Sequence, residues 1–241
     1  KSMVTEVVDS PHLPDDLQGD FLIAGYFARN IARLRPSVDG AGHKLKTLAP
    51  LLTSTHSAFR PVDLNVGPDG AIYVADWFNP IIGHYQASFR HPDRDKKRGR
   101  IWRISARGRP LDKPPALAGM GAAELCKQLA APTRWVSQQA KLRLMDLPKA
   151  KAIAATRNWV KSLDASDPEL EHKLYEAIGV FESHEEVNRP LLERLLNAKD
   201  HRARAYATRV LGRWHDRLDN PLALLKQRAA DENPRVRLEA L

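Results

Sequence analysis

The 241-residue sequence predicts a multidomain protein in which a β-strand-rich part is followed by an α-helical part. Short runs that alternate apolar and polar residues, separated by turns rich in Gly, Pro and Asp, fill residues 1–112. From about residue 121 alanine, leucine and arginine recur at helical spacing, and similar segments return every 33 or 34 residues. Residues 113–120, with two consecutive prolines, are therefore interpreted as a linker.

The clearest strands of the first part form a hairpin. Residues 61–66 alternate apolar and polar side chains, and residues 71–76 are the returning strand. Residues 67–70, Gly-Pro-Asp-Gly, have turn chemistry, because proline presets one φ angle and glycine accepts a positive one. Two earlier strands are predicted at 21–26 and 31–35, the second of which ends at Pro36 before a turn at 39–42. After the hairpin, a third strand is predicted at 100–104 and a fourth after Gly108.

Three or four short antiparallel strands in a row are typical of one blade of a β-propeller. Such a meander is only marginally stable alone, and residues 4–50 can supply about one further blade. Since at least four blades are needed to close a ring, we expect residues 1–112 to be the C-terminal blades of a partial β-propeller. The other blades would precede this chain, which we expect to be a fragment of a longer protein.

A long insertion, residues 77–99, separates the strands at 71–76 and 100–104. Ordered insertions of this length in compact domains are usually functional. In a propeller this loop projects onto the same face as the segment before residue 61. The sequence therefore predicts a site at one mouth of the channel, formed by Arg60, Asp63, Asp76, Trp77, Asn79 and His84.

Two interpretations of these side chains are open. In a catalytic one, His84 is the base and Arg60 stabilises a developing oxyanion. Asp63 and Asp76 would then be further base or cation-ligand groups. In a structural one, Asp76 pins its hairpin by accepting backbone hydrogen bonds, His84 is a hydrogen-bonded loop residue, and Trp77 is a packing group. The histidines and carboxylates lack metal-ligand spacing, so no metal site is predicted.

Charge and cysteine content exclude several classes of protein. The net charge is +9, and residues 90–113 hold ten basic residues against three aspartates. That stretch suits an anion or nucleic-acid patch, but a solvated loop and strand edge explains it better, because no aromatic platform accompanies it. We expect no specific nucleic-acid partner and, without a long apolar run, no transmembrane segment. The single cysteine, Cys126, rules out an internal disulfide and is expected to be buried.

The second part is predicted to be four helical hairpins, at about 121–147, 148–182, 187–215 and 219–241. Their first helices are predicted at 122–129, 149–163, 189–197 and 221–229. Their second helices are predicted to begin at Val136, Leu170, Ala203 and Val236, and the last three follow the cap signals Asp167-Pro168, Lys199-Asp200 and Asn233-Pro234.

The second helices resemble those of HEAT repeats. In residues 233–240 a proline starts the helix and a Val-Arg pair follows, and residues 201–207 are a second copy. Tetratricopeptide repeats share the period but place their small and aromatic residues differently, so they rank second. We therefore predict an α-solenoid of HEAT-like hairpins. Four arginines on one helix are interpreted as ordinary surface, with a docking stripe as the alternative: Arg202, Arg204, Arg209 and Arg213.

Two stretches of the β-rich part resemble a known family. They are FRPVDLNVGPDGAIYVADWFNPIIGH at 59–84 and RDKKRGRIWRI at 94–104. The sequence is similar there to the large membrane-bound-dehydrogenase-like proteins of planctomycetes and verrucomicrobia. In those proteins a propeller related to soluble glucose/sorbosone dehydrogenases precedes HEAT repeats, and a c-type cytochrome domain with a C-x-x-C-H motif often follows.

The resemblance implies a quinone-dependent oxidoreductase that oxidises a sugar or alcohol at the propeller mouth of the parent protein. It implies pyrroloquinoline quinone and calcium as cofactors, contacted here by Arg60, Trp77 and Asn79, and haem c in a separate cytochrome domain. It also implies a periplasmic or cell-envelope location. This chain lacks the haem motif, so no turnover is expected from it alone. The alternative is a non-catalytic binding or scaffold module whose HEAT surface recognises a protein or glycan.

Overall fold

β-strands form the first half of the chain and α-helices the second, in a computed structural model that describes residues 4–82, 88 and 90–241. The predicted order, a β part followed by an α part, is confirmed. The chain divides into two units, Lys1–Ser37 with Lys44–Pro114, and Val38–His43 with Pro115–Leu241. Within the described residues no helix is long and apolar enough to cross a membrane.

The strands of the first half form two antiparallel sheets. They are β1 (Thr5–Val7), β2 (Phe21–Gly25), β3 (Asn30–Asp39), β4 (Gly42–Thr53), β5 (Pro61–Val66), β6 (Ile72–Asp76) and β7 (Arg100–Ile104). The first sheet has the order β1-β2-β3-β4 and the second the order β5-β6-β7. Each strand therefore pairs with its neighbour in sequence, as in a meander.

Alternation of side chains places one face of each sheet in a shared apolar core. In β5 and β6 the paired residues Leu64 and Val74 are both buried, whereas Asn65 beside them is exposed. Loop residues from the segment between β1 and β2 complete this core, which contains Val8, Leu13, Leu17, Leu22, Ala24, Ile31, Leu64, Ile72 and Val74.

The turn between β5 and β6 depends on Gly70. Its φ of +79° lies in the left-handed region that favours glycine. A Cβ atom there would lie 2.5 Å from both Ser10 Oγ and Asp112 Oδ2. The close approach lets Ser10 Oγ donate a hydrogen bond of 2.9 Å to the Gly70 carbonyl, which ties the β1–β2 segment to this turn.

Two buried polar residues also hold the β1–β2 segment in place. His12 Nδ1 donates to the Pro110 carbonyl at 2.8 Å, and its Nε2 accepts from the Ala106 amide at 3.0 Å. Asp20 is fully buried and accepts hydrogen bonds from Arg33 and Arg35 of β3. Burial alone would raise the pKa of Asp20, but the two arginines outweigh it and the pKa is lowered.

Two strand predictions are wrong. The third strand does not end at Pro36, because β3 continues to Asp39. Its pairing with β2 stops at Leu34, so the missing proline N–H costs no hydrogen bond on that side. No strand follows Gly108 in the described chain; instead the Asp112 amide donates to the Asp69 carbonyl at 3.0 Å, which fastens this segment to the β5–β6 turn.

Eight helices are described in the second half. They are α1 (Ala122–Gln128), α2 (Arg134–Asp146), α3 (Lys149–Ser162), α4 (Leu170–Ser183), α5 (Arg189–Leu196), α6 (His201–Arg213), α7 (Pro221–Ala229) and α8 (Pro234–Glu239). Each lies within two residues of its predicted position. The side chains of Asp200 and Asn233 cap α6 and α8 as predicted, but the N-cap of α4 is Glu169 and not Asp167.

Apolar side chains between successive helices form two cores. One includes Trp214, which is 1% exposed, with leucines of α5 and residues of α4 and α6. The other surrounds Cys126, which is fully buried as predicted. Burial raises the pKa of the Cys126 thiol, although its contact with Thr156 Oγ1 opposes this. The thiol is therefore a packing group.

The interpretation of Arg204 as surface is wrong. Its side chain is buried and its Nε donates to Asp231 Oδ2 at 3.0 Å, while Nη1 donates to the Ala198 carbonyl at 2.9 Å. The guanidinium thus joins α6 to the α7–α8 turn. Helical spacing could not distinguish it from Arg202, which is exposed, because the carboxylate that pairs with it lies in the next hairpin.

Candidate functional site

Asp76, the last residue of β6, joins three segments through its carboxylate. Its Oδ1 accepts from the amides of Arg60 at 2.8 Å and Phe78 at 2.9 Å. Its Oδ2 accepts from Trp102 Nε1 at 3.0 Å. The residue is 3% exposed. Both oxygens are engaged with N–H donors, so this carboxylate fixes the start of β5, the end of β6 and the middle of β7.

The turn after Asp76 has an uncommon backbone conformation. Phe78 has a φ of +49°, in a region that bulky residues rarely adopt. The hydrogen bond from its amide to Asp76 holds it there. The guanidinium of Arg100 lies 3.6 Å from the centre of the Phe78 ring, and that of Arg98 lies 5.7 Å from it. These contacts stabilise the turn that follows β6.

Arg60 lies directly before β5 and is buried, with 7% of its surface exposed. Its Nη1 donates to the Phe59 carbonyl at 3.0 Å, and its own carbonyl accepts from the Trp77 amide at 2.9 Å. Burial lowers the pKa of Arg60, and the positive charge of Arg29 adds to this; Tyr26 and Asp76 oppose it. A cation is thus held in a poorly solvated position at the end of both sheets.

An aromatic pair lies beside Arg60. The rings of Tyr26 and Trp77 are stacked, with centroids 6.0 Å apart and an interplanar angle of 12°. Burial raises the pKa of Tyr26, and the charges of Arg60 and Arg94 act against it. Trp77 is 41% exposed, so one surface of the pair is open to solvent. We call Tyr26, Arg29, Arg60 and Trp77 the arginine–aromatic cluster.

The insertion is organised by side chains that cap its own turns. Asn79 is buried; its Oδ1 accepts from the Ile81 amide at 3.1 Å, and its Nδ2 donates to the Asp95 carbonyl at 3.3 Å. Asp95 Oδ1 accepts from the Lys97 and Arg98 amides, both at 3.0 Å. The hydrogen bond from the Lys97 amide lowers the pKa of Asp95 most, and the amide and guanidinium of Arg98 lower it further. Loss of solvation acts in the opposite direction but is outweighed. Asn79 therefore connects the two ends of the insertion.

The structure brings together only some of the predicted site residues. Arg60, Asp76, Trp77 and Asn79 lie at the same end of the second sheet. Asp63 does not join them: it is exposed, and its Oδ1 accepts from the Leu64 amide at 2.8 Å. His84 lies outside the described residues.

Sequence reasoning missed Tyr26 and Arg29. They follow β2, whereas the predicted site residues come from the second sheet. One feature of the sequence could have indicated Tyr26. It is the aromatic last residue of the strand predicted at 21–26, and the turns that join the strands of a meander lie at the ends of its sheet. Arg29 has a φ of +55°, which places it in the left-handed region.

The described residues do not form the calcium site that the resemblance implies, and the chain has no haem attachment motif. The two aspartates proposed as cation ligands are engaged with N–H groups (Asp76) or exposed (Asp63). The described chain holds no group of three or more His, Cys, Asp or Glu that could bind a metal ion. Haem c cannot attach through C-x-x-C-H, because the one cysteine, Cys126, is buried in the helical part.

Residues 3–108 are similar to a family described as a domain of unknown function (DUF7133). The matched range includes all seven strands and the arginine–aromatic cluster, and it ends before the first helix. No curated protein and no solved structure matches the chain.

Proposed function

We propose that this chain is a non-catalytic binding and scaffold module, in which strands of a propeller-type domain precede HEAT-like helical hairpins. The observation that supports it most directly is a face on the second helices of the hairpins that presents aromatic and charged side chains. The proposal follows the alternative given by the sequence, in which a helical solenoid recognises a protein or a glycan.

Two tyrosines define this face. Tyr175 of α4 and Tyr206 of α6 have ring centroids 4.6 Å apart, and both are half-buried. His172 stacks on Tyr175 at 6.2 Å and is exposed. Half-buried aromatic side chains with one open surface bury large areas at little entropic cost, which suits a recognition surface.

Two hydrogen bonds and one ion pair hold the side chains of the tyrosine face in place. Tyr206 Oη donates to Glu182 Oε2 at 2.6 Å; burial first, and then this carboxylate, raise the pKa of Tyr206. Arg209 Nη2 donates to Glu239 Oε1 at 2.7 Å, which links α6 to α8. The Glu171 carboxylate accepts from the Asp200 amide at 2.7 Å and so links α4 to the start of α6. Such fixed side chains reduce the entropy lost on binding.

The proposal is tested with the full chain on a glycan array and against a library of displayed peptides. Ligands that are enriched should lose affinity by about tenfold or more when His172 and Tyr175 are both replaced by alanine. Lys226→Ala, an exposed position on α7, is the matched control and should leave affinity unchanged. Enriched ligands that bind all variants equally, or no enrichment of any ligand, would reject this face as a binding surface.

Oxidation of a sugar or alcohol is the second candidate function. The buried cation Arg60 at the end of the sheets favours it, because such a group can stabilise developing negative charge. The engaged carboxylate of Asp76 counts against it. Reconstitution of the chain with pyrroloquinoline quinone and calcium, followed by dye reduction over a panel of sugars and alcohols, separates the two functions. Substrate-dependent reduction by the chain itself would overturn the non-catalytic proposal.

A further inference from the structure

Arg60 leaves one strong hydrogen-bond donor unused. Its Nε is buried and has no hydrogen-bond partner among the residues that the structure describes, whereas Nη1 donates to the Phe59 carbonyl at 3.0 Å. A buried guanidinium is costly unless it is paired with an acceptor, and polar atoms left unpaired inside proteins are rare. The arrangement therefore suits an acceptor that this part of the chain does not itself supply.

The charges around Arg60 are unbalanced. Asp76 is the carboxylate that acts on it, but both Asp76 oxygens already accept from the Arg60 and Phe78 amides and the Trp102 indole. Arg29 adds a second positive charge close enough to disfavour the charged form of Arg60. At Arg60 the effect of this one carboxylate is therefore opposed by the positive charge of Arg29. A further negative group would restore the balance and be favoured electrostatically.

The neighbouring aromatic pair defines what that negative group is attached to. Trp77 is joined to Arg60 through the backbone, since its amide donates to the Arg60 carbonyl at 2.9 Å. Its ring stacks on Tyr26 and remains 41% exposed. A flat or chair-shaped ring can lie on an exposed indole, whereas a bare inorganic ion gains nothing from it.

We propose that the arginine–aromatic cluster binds a ligand in which a ring carries a carboxylate. The carboxylate offers two acceptors in one plane, which matches the paired donors on the edge of a guanidinium, including Nε. The ring packs on Trp77. A sugar acid and an aromatic acid share this chemistry. The cluster belongs to the β-rich part and the tyrosine face to the helical part, and they share no residue, so the two proposals stand or fall separately.

Binding is measured by titration calorimetry on the full chain, with D-glucuronate and benzoate as probes and D-glucose and benzyl alcohol as their uncharged counterparts. At least one acid should bind, its uncharged counterpart should bind at least about tenfold more weakly, and the acid that binds identifies the ring. Arg60→Gln should weaken that acid by about tenfold or more, as expected for a charge-assisted hydrogen bond. Lys113→Gln removes the same charge from an exposed position and should have no effect.

Thermal unfolding separates a ligand site from a structural role of Arg60. Arg60→Met keeps the volume and removes the unpaired donor, so without ligand its Tm should equal or exceed that of the wild type. The acid should raise the Tm of the wild type and leave that of the variant unchanged. The proposal is overturned if neither acid binds with a Kd below about 10 mM, if Arg60→Gln binds as the wild type does, or if Arg60→Met lowers the Tm and the acid shifts both proteins equally.

Discussion

Replacing Asp76 by alanine should destabilise the β-rich part more than any exposed substitution in it. The change removes the acceptor of the Arg60 and Phe78 amides and of the Trp102 indole. A hydrogen bond to a charged group contributes about 1.5–3 kcal/mol, and the two amides belong to buried residues. Trp102 is 43% exposed and can turn to water. Counting the two amides alone, we expect the free energy of unfolding to fall by about 3–6 kcal/mol.

A graded series makes this expectation quantitative. Asp76→Asn keeps one oxygen for the two amides but turns a nitrogen toward Trp102, so it should cost about 1–2 kcal/mol. Asp63→Ala is the matched control: Asp63 is exposed and water can replace its hydrogen bond to the Leu64 amide, so this change should cost no more than about 1 kcal/mol.

Hydrogen exchange with mass spectrometry measures the effect where it arises. In a urea series, peptides that contain Arg60 and Phe78 report the free energy of opening of this region, separately from the helical part. The Asp76→Ala protein should lose protection there and retain it in α4 to α6. Protection equal to that of Asp63→Ala, or a loss below about 1 kcal/mol, would refute the role assigned to Asp76.

Three further substitutions have defined outcomes. Arg204→Ala should lower the free energy of unfolding of the helical part by about 2–4 kcal/mol, measured by circular dichroism in urea, because the buried carboxylate of Asp231 would keep only its longer ion pair with Arg228 at 3.5 Å. Gly70→Ala should lower the Tm clearly more than Gly108→Ala, since both have positive φ but only at Gly70 does a Cβ atom meet other atoms. The pKa of Asp20 is lowered, so the stabilisation that this carboxylate gives is complete above the ordinary carboxyl pKa of 3.8 and is lost as the pH falls through the lowered value. Asp20→Asn should therefore make the free energy of unfolding depend less on pH between about pH 5 and 2.

Most of the secondary structure was predictable because it rests on local patterns. The 33- or 34-residue period and the residues Asp200 and Asn233 located the helices, since capping and helical periodicity are short-range effects. β4 was missed and β3 was ended early at Pro36. A proline stops a strand only where its N–H is needed, and that depends on which neighbouring strand is present.

The site was predicted only in part, for a related reason. Arg60, Trp77 and Asn79 could be placed at one end of the sheet, because strand ends in a meander alternate between two edges. The hydrogen-bond partner of each side chain could not be predicted. Whether Asp76 binds a cation or fixes three N–H groups depends on Trp102, which is 26 residues away in sequence. The contribution of Tyr26 came from the other sheet and could only follow from the packing of the two sheets.

The sequence by itself determined the order of β and α parts, the helical repeat and the turn that requires Gly70, because these depend on the chemistry of neighbouring residues. Tertiary structure alone decided which charged groups are paired. It buried Arg204 against Asp231, and within the described part of the chain it left Arg60 Nε without a hydrogen-bond partner. The physical reason is that the cost of a buried charge is set by its surroundings in space, and those surroundings come from distant parts of the chain.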